Sequence, residues 1–484
     1  MTETRTAPSP RPPRRGLILT AMCLGMFLMQ LDATIVNVAL PAIGDHLHAS
    51  VSGLQWVVDA YILPLAALLL IAGRVGDIGG HKRVFITGTA IFALASVGCA
   101  LAPSGGWLIA ARAVQGVGAA LELPATLAIL AHAFPVPAER VRAIGVWASA
   151  AGLSLVAGPV LGGALVDAVG WQSIFWLNVP CAVVTGLLAL VVVPATRGSR
   201  ASLDLPGQLL GTVALGLVAY VAIDGRRQGW TSAPIVAALL VAVVALAGFA
   251  VVESRARDAL LPPRFFRLPA FTTGNVAGLL MGFALFGLLF VFSLYFQQVG
   301  GDSAVEAGAR FLPLSVAYMA TGPYAGRIVG RLGARWALTA GLALVGGGCA
   351  VLTGTAADGY LLTGLPFVAV GAGYALASTS MAATVMGAVP PERAGMASSV
   401  NNTARQTGGV LGVAVLGSLL ADRAAARGSA GLESGLHDAL WIIAACALAG
   451  AVLAGATLSG PAPAPGRGGA RERTADGPSE VAHR

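Results

Sequence analysis

The stretch GRVGDIGGHKR, Gly73 to Arg83, decides the fold because the chain carries a near-copy of it: GRIVGRLGARW, Gly326 to Trp336. Gly73, Arg74, Gly80 and Lys82 fall on Gly326, Arg327, Gly333 and Arg335 at a constant offset of 253 residues. PAER (Pro137–Arg140) matches PPER (Pro390–Arg393) at the same offset, and GVGAAL (Gly116–Leu121) resembles GAGYAL (Gly371–Leu376) at 255. Three matches near one offset argue for an internal duplication.

Each copy joins two apolar runs. Such runs of about 20 residues recur along the whole chain, and each is long enough to cross about 30 Å of hydrocarbon. The chain has 484 residues, of which only 11% are charged, and a mean hydropathy of +0.79. A soluble protein of this length needs a far more charged surface. Fourteen helices are expected, starting near Gly16, Ser52, Val84, Trp107, Arg142, Gln172, Leu205, Ser232, Ala270, Ala304, Trp336, Tyr360, Met396 and His437. The two copies lie eight spans apart. Eight is even, so they face the same way across the membrane, the parallel repeat known from secondary transporters.

The expectation is therefore an all-α polytopic membrane protein. A six-helix bundle spans residues 16–194 and a second spans 270–459. Two additional helices lie between them in 203–254, flanked by cytoplasmic linkers at 195–202 and 255–269. The first 15 residues and the tail 460–484 are rich in Pro, Gly and Arg and read as disordered.

Charge sets the orientation. Of the 30 Lys and Arg residues, 23 fall in the N-terminal arm, the tail and alternate loops on one side. The opposite loops hold only Arg226, Arg227, Arg423 and Arg427. The positive-inside rule puts both termini in the cytoplasm. The net charge of +8 is scattered over short links and forms no patch for nucleic acid. All five cysteines sit in apolar runs and read as packed thiols. No cluster has metal-ligand spacing, and His46-x-His48 reads as solvated loop. The single lysine, Lys82, follows His81, so no phosphate-cradling GxxxxGK[ST] loop exists. Active transport by this chain would draw on an ion gradient, with protons as the coupling ion and no cofactor. No loop is long enough for a soluble catalytic domain, so an enzyme is not expected.

Three acids lie deep within spans: Asp32, Asp59 and Glu122. An unpaired acid at the bilayer centre costs about 2.5–3.5 kcal/mol. At 1.5 Å per residue, Asp32, Asp59 and Arg112 lie about 12, 10 and 8 Å below the outer ends of their spans, so they can share a layer. Arg112, Gln115, Ala119 and Glu122 recur on one helical face, which is expected to line a cavity. An Asp32–Arg112 pair would lock helices; a carboxylate that gains and loses a proton would couple two fluxes. Both readings stand for Asp32 and Asp59, and for Glu122 the functional one is preferred. Met22, Met29, Asn401 and Arg405 are further candidates for the cavity wall, though the Met residues suit core filling and the Asn401–Arg405 group suits packing. Three acids against one base favour a neutral or cationic substrate. The Gly73–Arg83 link, with Gly73, Asp77, Gly80, Lys82 and Arg83, suits a two-state latch between helix ends. GPVLGG, with Gly158, Pro159, Gly162 and Gly163, allows close backbone approach within a span.

Together these motifs resemble the major facilitator superfamily, in particular its fourteen-span drug/proton antiporter branch. GRVGDIGGHKRV resembles the family's loop signature, with Ile78 where Arg is usual. RAVQGVGAA, which places Arg112, Gln115 and Gly116, resembles the span-four motif. LDATIVNVALP, which places Asp32, resembles the branch's first-span motif, and GPVLGG resembles the motif of its exporters. The likeness is strongest to antibiotic-resistance exporters of the methylenomycin-resistance type. It implies a monomeric, lipid-embedded multidrug efflux protein that exchanges protons for small amphipathic drugs by alternating access. A proton-coupled nutrient symporter of the same fold is the alternative.

Overall fold

The structure is a computed structural model that describes residues 13–195, 205–255, 263–355, 360–390 and 393–458. The expected N-terminal arm before residue 13, most of the linkers and the tail lie outside the described residues. Six helices build the first bundle: α1 (Pro13–Leu47), α2 (Val51–Gly79), α3 (His81–Ala100), α4 (Gly105–Ala133), α5 (Pro137–Val169) and α6 (Gln172–Val192). Two more follow, α7 (Leu205–Gln228) and α8 (Ala233–Arg255), then a short 3₁₀ turn (Pro263–Arg267). The second bundle holds α9 (Pro269–Gln298), α10 (Ala304–Arg310), α11 (Leu312–Thr355), α12 (Tyr360–Gly387), α13 (Ala394–Arg427) and α14 (Ser429–Thr457).

Among the described residues, thirteen apolar helical stretches are long enough to cross a membrane, and one of them, Ala304–Thr355, has 52 residues. At 1.5 Å per residue it would reach about 78 Å, far more than one crossing needs. Gly333 breaks it, with φ 79° and ψ 155°. The break makes the crossings fourteen, as the apolar runs imply. Its counterpart in the first half is Gly80, with φ 86° and ψ 126°. Both lie in a region of φ/ψ that side chains disfavour, so glycine is required at each reversal. The duplicated stretch is thus one backbone device used twice.

The packing repeats as well. α1 packs on α5 and α6, and α3 on α4 and α6; in the second half α9 packs on α13 and α14, and α11 on α12 and α14. The bundles meet along α2–α13, α1–α9 and α5–α10/α11. α7 leans on this seam and touches both sides. Gln208 of α7 donates to the Ala67 carbonyl of α2, Trp56 of α2 donates to Asp224 of α7 at 3.0 Å, and Ser418 of α13 donates to the Ala222 carbonyl at 2.9 Å. α8 packs on α7 and leaves Leu240, Val243 and Val244 exposed, a face for lipid chains.

Candidate functional site

An even number of crossings leaves the start of α1 and the end of α14 on one side, called here the terminal side; the other is distal. The hydrogen bonds across the seam among the described residues lie in the distal half. Gln55 of α2 donates to the Val413 and Ala414 carbonyls of α13 at 2.9 and 2.7 Å. Ser293 and Gln297 of α9 reach the Asn37 and Val38 carbonyls of α1. Ser315 of α11 donates to the Leu155 carbonyl of α5 at 3.0 Å. Asp167, at the distal end of α5, accepts from the backbone N–H groups of Ala304 and Val305 at 3.2 and 3.0 Å, so one bundle caps a helix of the other. Toward the terminal side α5 and α11 part. A methyl group added at Gly145, Gly322 or Gly326 would meet nothing within 4 Å, whereas one at Gly152 would touch the Tyr318 ring. The bundles therefore enclose a cleft with its apex near Gly152 and Tyr318, open to the terminal side.

The GPVLGG stretch forms much of the distal seal. Gly158 and Gly162 abut Thr34 and Ile35 of α1. Gly163 lies against the Ala304 and Val305 backbone of α10, and Gly308 of α10 against the Pro159 carbonyl. A side chain at Gly163 would strike backbone that yields only if the bundles separate, at a cost of about 1–3 kcal/mol. Gly163→Val is expected to shift the population toward a distal-open state and to slow at least about tenfold any cycle that must reseal that end. A cysteine placed at Ser293, buried in the seam, should then react faster with an impermeant maleimide added from the distal side; an unchanged rate refutes the assignment.

Within the first bundle, Asp32 and Arg112 meet directly, as their depths suggest. One Asp32 oxygen takes the Arg112 guanidinium. The other accepts from Gln115 at 2.9 Å and Asn178 at 2.7 Å. Gln115 also accepts from Arg112 at 2.6 Å and donates to Ser96 at 2.9 Å. Arg112 Nε donates to the Val57 carbonyl at 3.1 Å, and its guanidinium lies 4.3 Å over the Tyr61 ring. Two helices, α4 and α6, thus offer Asp32 donors only, the arrangement an ionised carboxylate needs. Asn178, Ser96 and Tyr61 were not singled out from sequence. The signal available was a lone Asn within FWLNVP, an otherwise apolar segment.

Several expected cavity-lining residues stand elsewhere. Met22, Met29, Gln115 and Glu122 are all buried, at 0, 3, 0 and 0% exposure, between helices of the first bundle. The polar face of α4 looks onto its own bundle axis, where α1 and α3 pack, and not into the cleft. The Glu122 carboxylate fills the space left by Gly25 of α1, and both its oxygens lack a hydrogen-bond donor. Asn401 spends its amide on the Gly274 carbonyl of α9 at 3.2 Å. Asp59 shares a helix with Val57 but not its face, and makes no contact with Arg112; both its oxygens are buried without a partner. It lies four residues after Gln55, on the face of α2 that meets α13. Of the cavity candidates, Arg405 alone is half-buried, near the cleft apex. In the loop stretch, Asp77 pairs with His81 at 3.3 Å, Lys82 donates to the Leu190 carbonyl of α6 at 2.7 Å, and Arg83 is exposed. The contacts seen for Lys82 and Asp77 thus stay within the first bundle.

Comparison with known proteins agrees with this geometry. The chain is 38% identical over 410 residues to a methylenomycin A resistance protein of Streptomyces coelicolor, covering 84% of this chain and 86% of that one. It is 36% identical over 433 residues to the tetracenomycin C resistance and export protein of Streptomyces glaucescens, covering 87% and 80%. It is 39% identical over 408 residues to the multidrug resistance protein Stp of Mycobacterium tuberculosis, covering 84% and 76%. Among solved structures it resembles a bacterial homologue of the human lysosomal transporter Spinster, in an inward-facing and unoccupied conformation. That match has a TM-score of 0.65 at 16% identity and covers 92% of this chain and 97% of the other. Residues 22–413 match the Major Facilitator Superfamily, and the chain, with its duplicated bundles meeting at a one-sided cleft, belongs to that family.

Proposed function

We propose that this protein is a bacterial plasma-membrane exporter that removes antibiotics or other small amphipathic drugs in exchange for protons. The observation that carries the reading is the seam, sealed by polar and glycine contacts at one end and parted at the other, as alternating access requires. The relatives named for methylenomycin, tetracenomycin and multidrug resistance support drugs as the cargo. The excess of Lys and Arg on the terminal side supports cytoplasmic termini, which makes the cleft inward-facing. Buried acids support proton coupling: Asp59 and Glu122 sit in the membrane without donors, so their charge state has a large energetic consequence. One proton crossing about 100 mV and one pH unit supplies about 3.7 kcal/mol, enough for a drug gradient of roughly 500-fold.

The test uses inverted membrane vesicles containing the full chain and energised by respiration. An exporter's drug should enter the vesicles and alkalinise their lumen, read as recovery of a quenched acridine dye. Drug entry that survives collapse of the proton gradient, or that acidifies the lumen further, overturns the proposal.

A further inference from the structure

The expectation of a neutral or cationic cargo rests on three acids facing the cavity, and the structure buries all three away from the cleft. What the apex of the cleft presents is a cation. Arg405 of α13 is half-buried there, and its one hydrogen bond to a side chain is to Asn402, at 3.2 Å. Arg112, Arg310 and Arg423 each ion-pair with an aspartate. Among the described residues, no carboxylate lies within 4 Å of Arg405. Two phenols flank it instead, those of Tyr318 and Tyr374, whose rings lie 5.6 Å apart. Tyr374 is buried, with its hydroxyl beside the guanidinium. Tyr318 also touches Gly152 of the opposite bundle, so the group sits where the two bundles converge.

An uncompensated guanidinium within the membrane is unfavourable, and it is stabilised by whatever anion reaches it. Its planar fork suits a carboxylate, sulfonate or enolate, and the two rings suit a flat apolar body. We propose that Arg405, Tyr374 and Asn402 anchor the acidic group of an amphipathic organic acid, with Tyr318 stacking against its apolar part, so that the preferred cargo is anionic. This rests on the exporter reading above and specifies its substrate class.

Two probes that share one ring frame test it: 8-anilino-1-naphthalenesulfonate, an anion, and N-phenyl-1-naphthylamine, its uncharged counterpart. Binding of each is measured by fluorescence to the full chain in nanodiscs, after subtraction of protein-free discs. Wild type should bind the sulfonate more tightly than the amine. Arg405→Gln should weaken the sulfonate by about 10- to 100-fold, the loss expected for charge-assisted hydrogen bonds, and change the amine less than about twofold. Arg405→Lys should retain part of the preference, and Tyr374→Phe should weaken the sulfonate alone, by about 3- to 10-fold. Amine binding reports that each variant is folded; if Arg405→Gln loses it, the Lys and Phe variants decide. A wild type without sulfonate preference, or variants that leave the ratio of the two affinities unchanged, overturn the proposal. The exporter reading fails separately, if wild-type proteoliposomes move neither probe against its gradient when a proton gradient is imposed.

Discussion

Arg112→Met is expected to destabilise the folded protein by about 3–5 kcal/mol. The reason lies in what remains. Asp32 is fully buried, and Arg112 is the only cation among its three donors. Removing the guanidinium leaves a carboxylate with two amide donors in a medium that solvates charge poorly. It also empties the space over Tyr61 and frees the Val57 carbonyl. Asp32→Asn fails differently, because the new amide donors would face the donors of Gln115 and Asn178. The double variant Asp32→Asn/Arg112→Gln should be more stable than the sum of the single losses implies, by about 1–3 kcal/mol of coupling. Reversible unfolding of the purified full chain in mixed micelles measures each quantity. A single variant within about 1 kcal/mol of wild type would show that the pair is not the lock described.

The same pair shows what a sequence exposes and what it hides. Depth was legible: counting 1.5 Å per residue put Asp32 and Arg112 in one layer, and they meet. The count succeeded although α1 runs on to Leu47, which leaves Asp32 about 22 Å from its distal end and not 12. Azimuth was only half legible. Helical periodicity correctly grouped Arg112, Gln115 and Glu122 on one face, but it cannot say whether a face looks at its own bundle axis or at the cleft. That depends on where α1, α3 and α6 pack, which is long-range information. Asp59 was misplaced for the same reason. Its depth matched Arg112, while its face, set by Gln55, turns toward α13. The reversals at Gly80 and Gly333 were legible because the chain states them twice. Asp167 drew no notice because an acid at a helix end is ordinary, and only the tertiary fold brings the start of α10 to it.

The azimuth of Asp59 leads to the second large effect. A carboxylate couples protons to a conformational change only if its surroundings differ between the two states. Among the described residues, the Asp32 network and Glu122 contact the first bundle alone, so a rocking of one bundle against the other leaves them nearly unchanged. Asp59 lies one turn below Gln55, whose amide bonds across the seam to Val413 and Ala414. When α2 and α13 part, Asp59 passes from full burial to water. Its ionised form opposes the closed seam, by up to about 2.5–3.5 kcal/mol when no partner is present, and its neutral form does not. Raising the pH from about 5 to about 9 should therefore speed maleimide labelling of a cysteine at Ser293 by as much as roughly 100-fold beyond the rise in thiolate reactivity, which is measured on a free thiol and divided out. Asp59→Asn, which fixes a neutral side chain, should flatten that pH response and abolish proton-driven efflux while leaving the protein at least as stable as wild type. Glu122→Gln should keep the pH response, because the environment of Glu122 moves with it. If instead Glu122→Gln flattens the labelling profile and Asp59→Asn follows wild type, the carboxylate that senses the seam has been misassigned, and the first bundle must deform internally as it rocks.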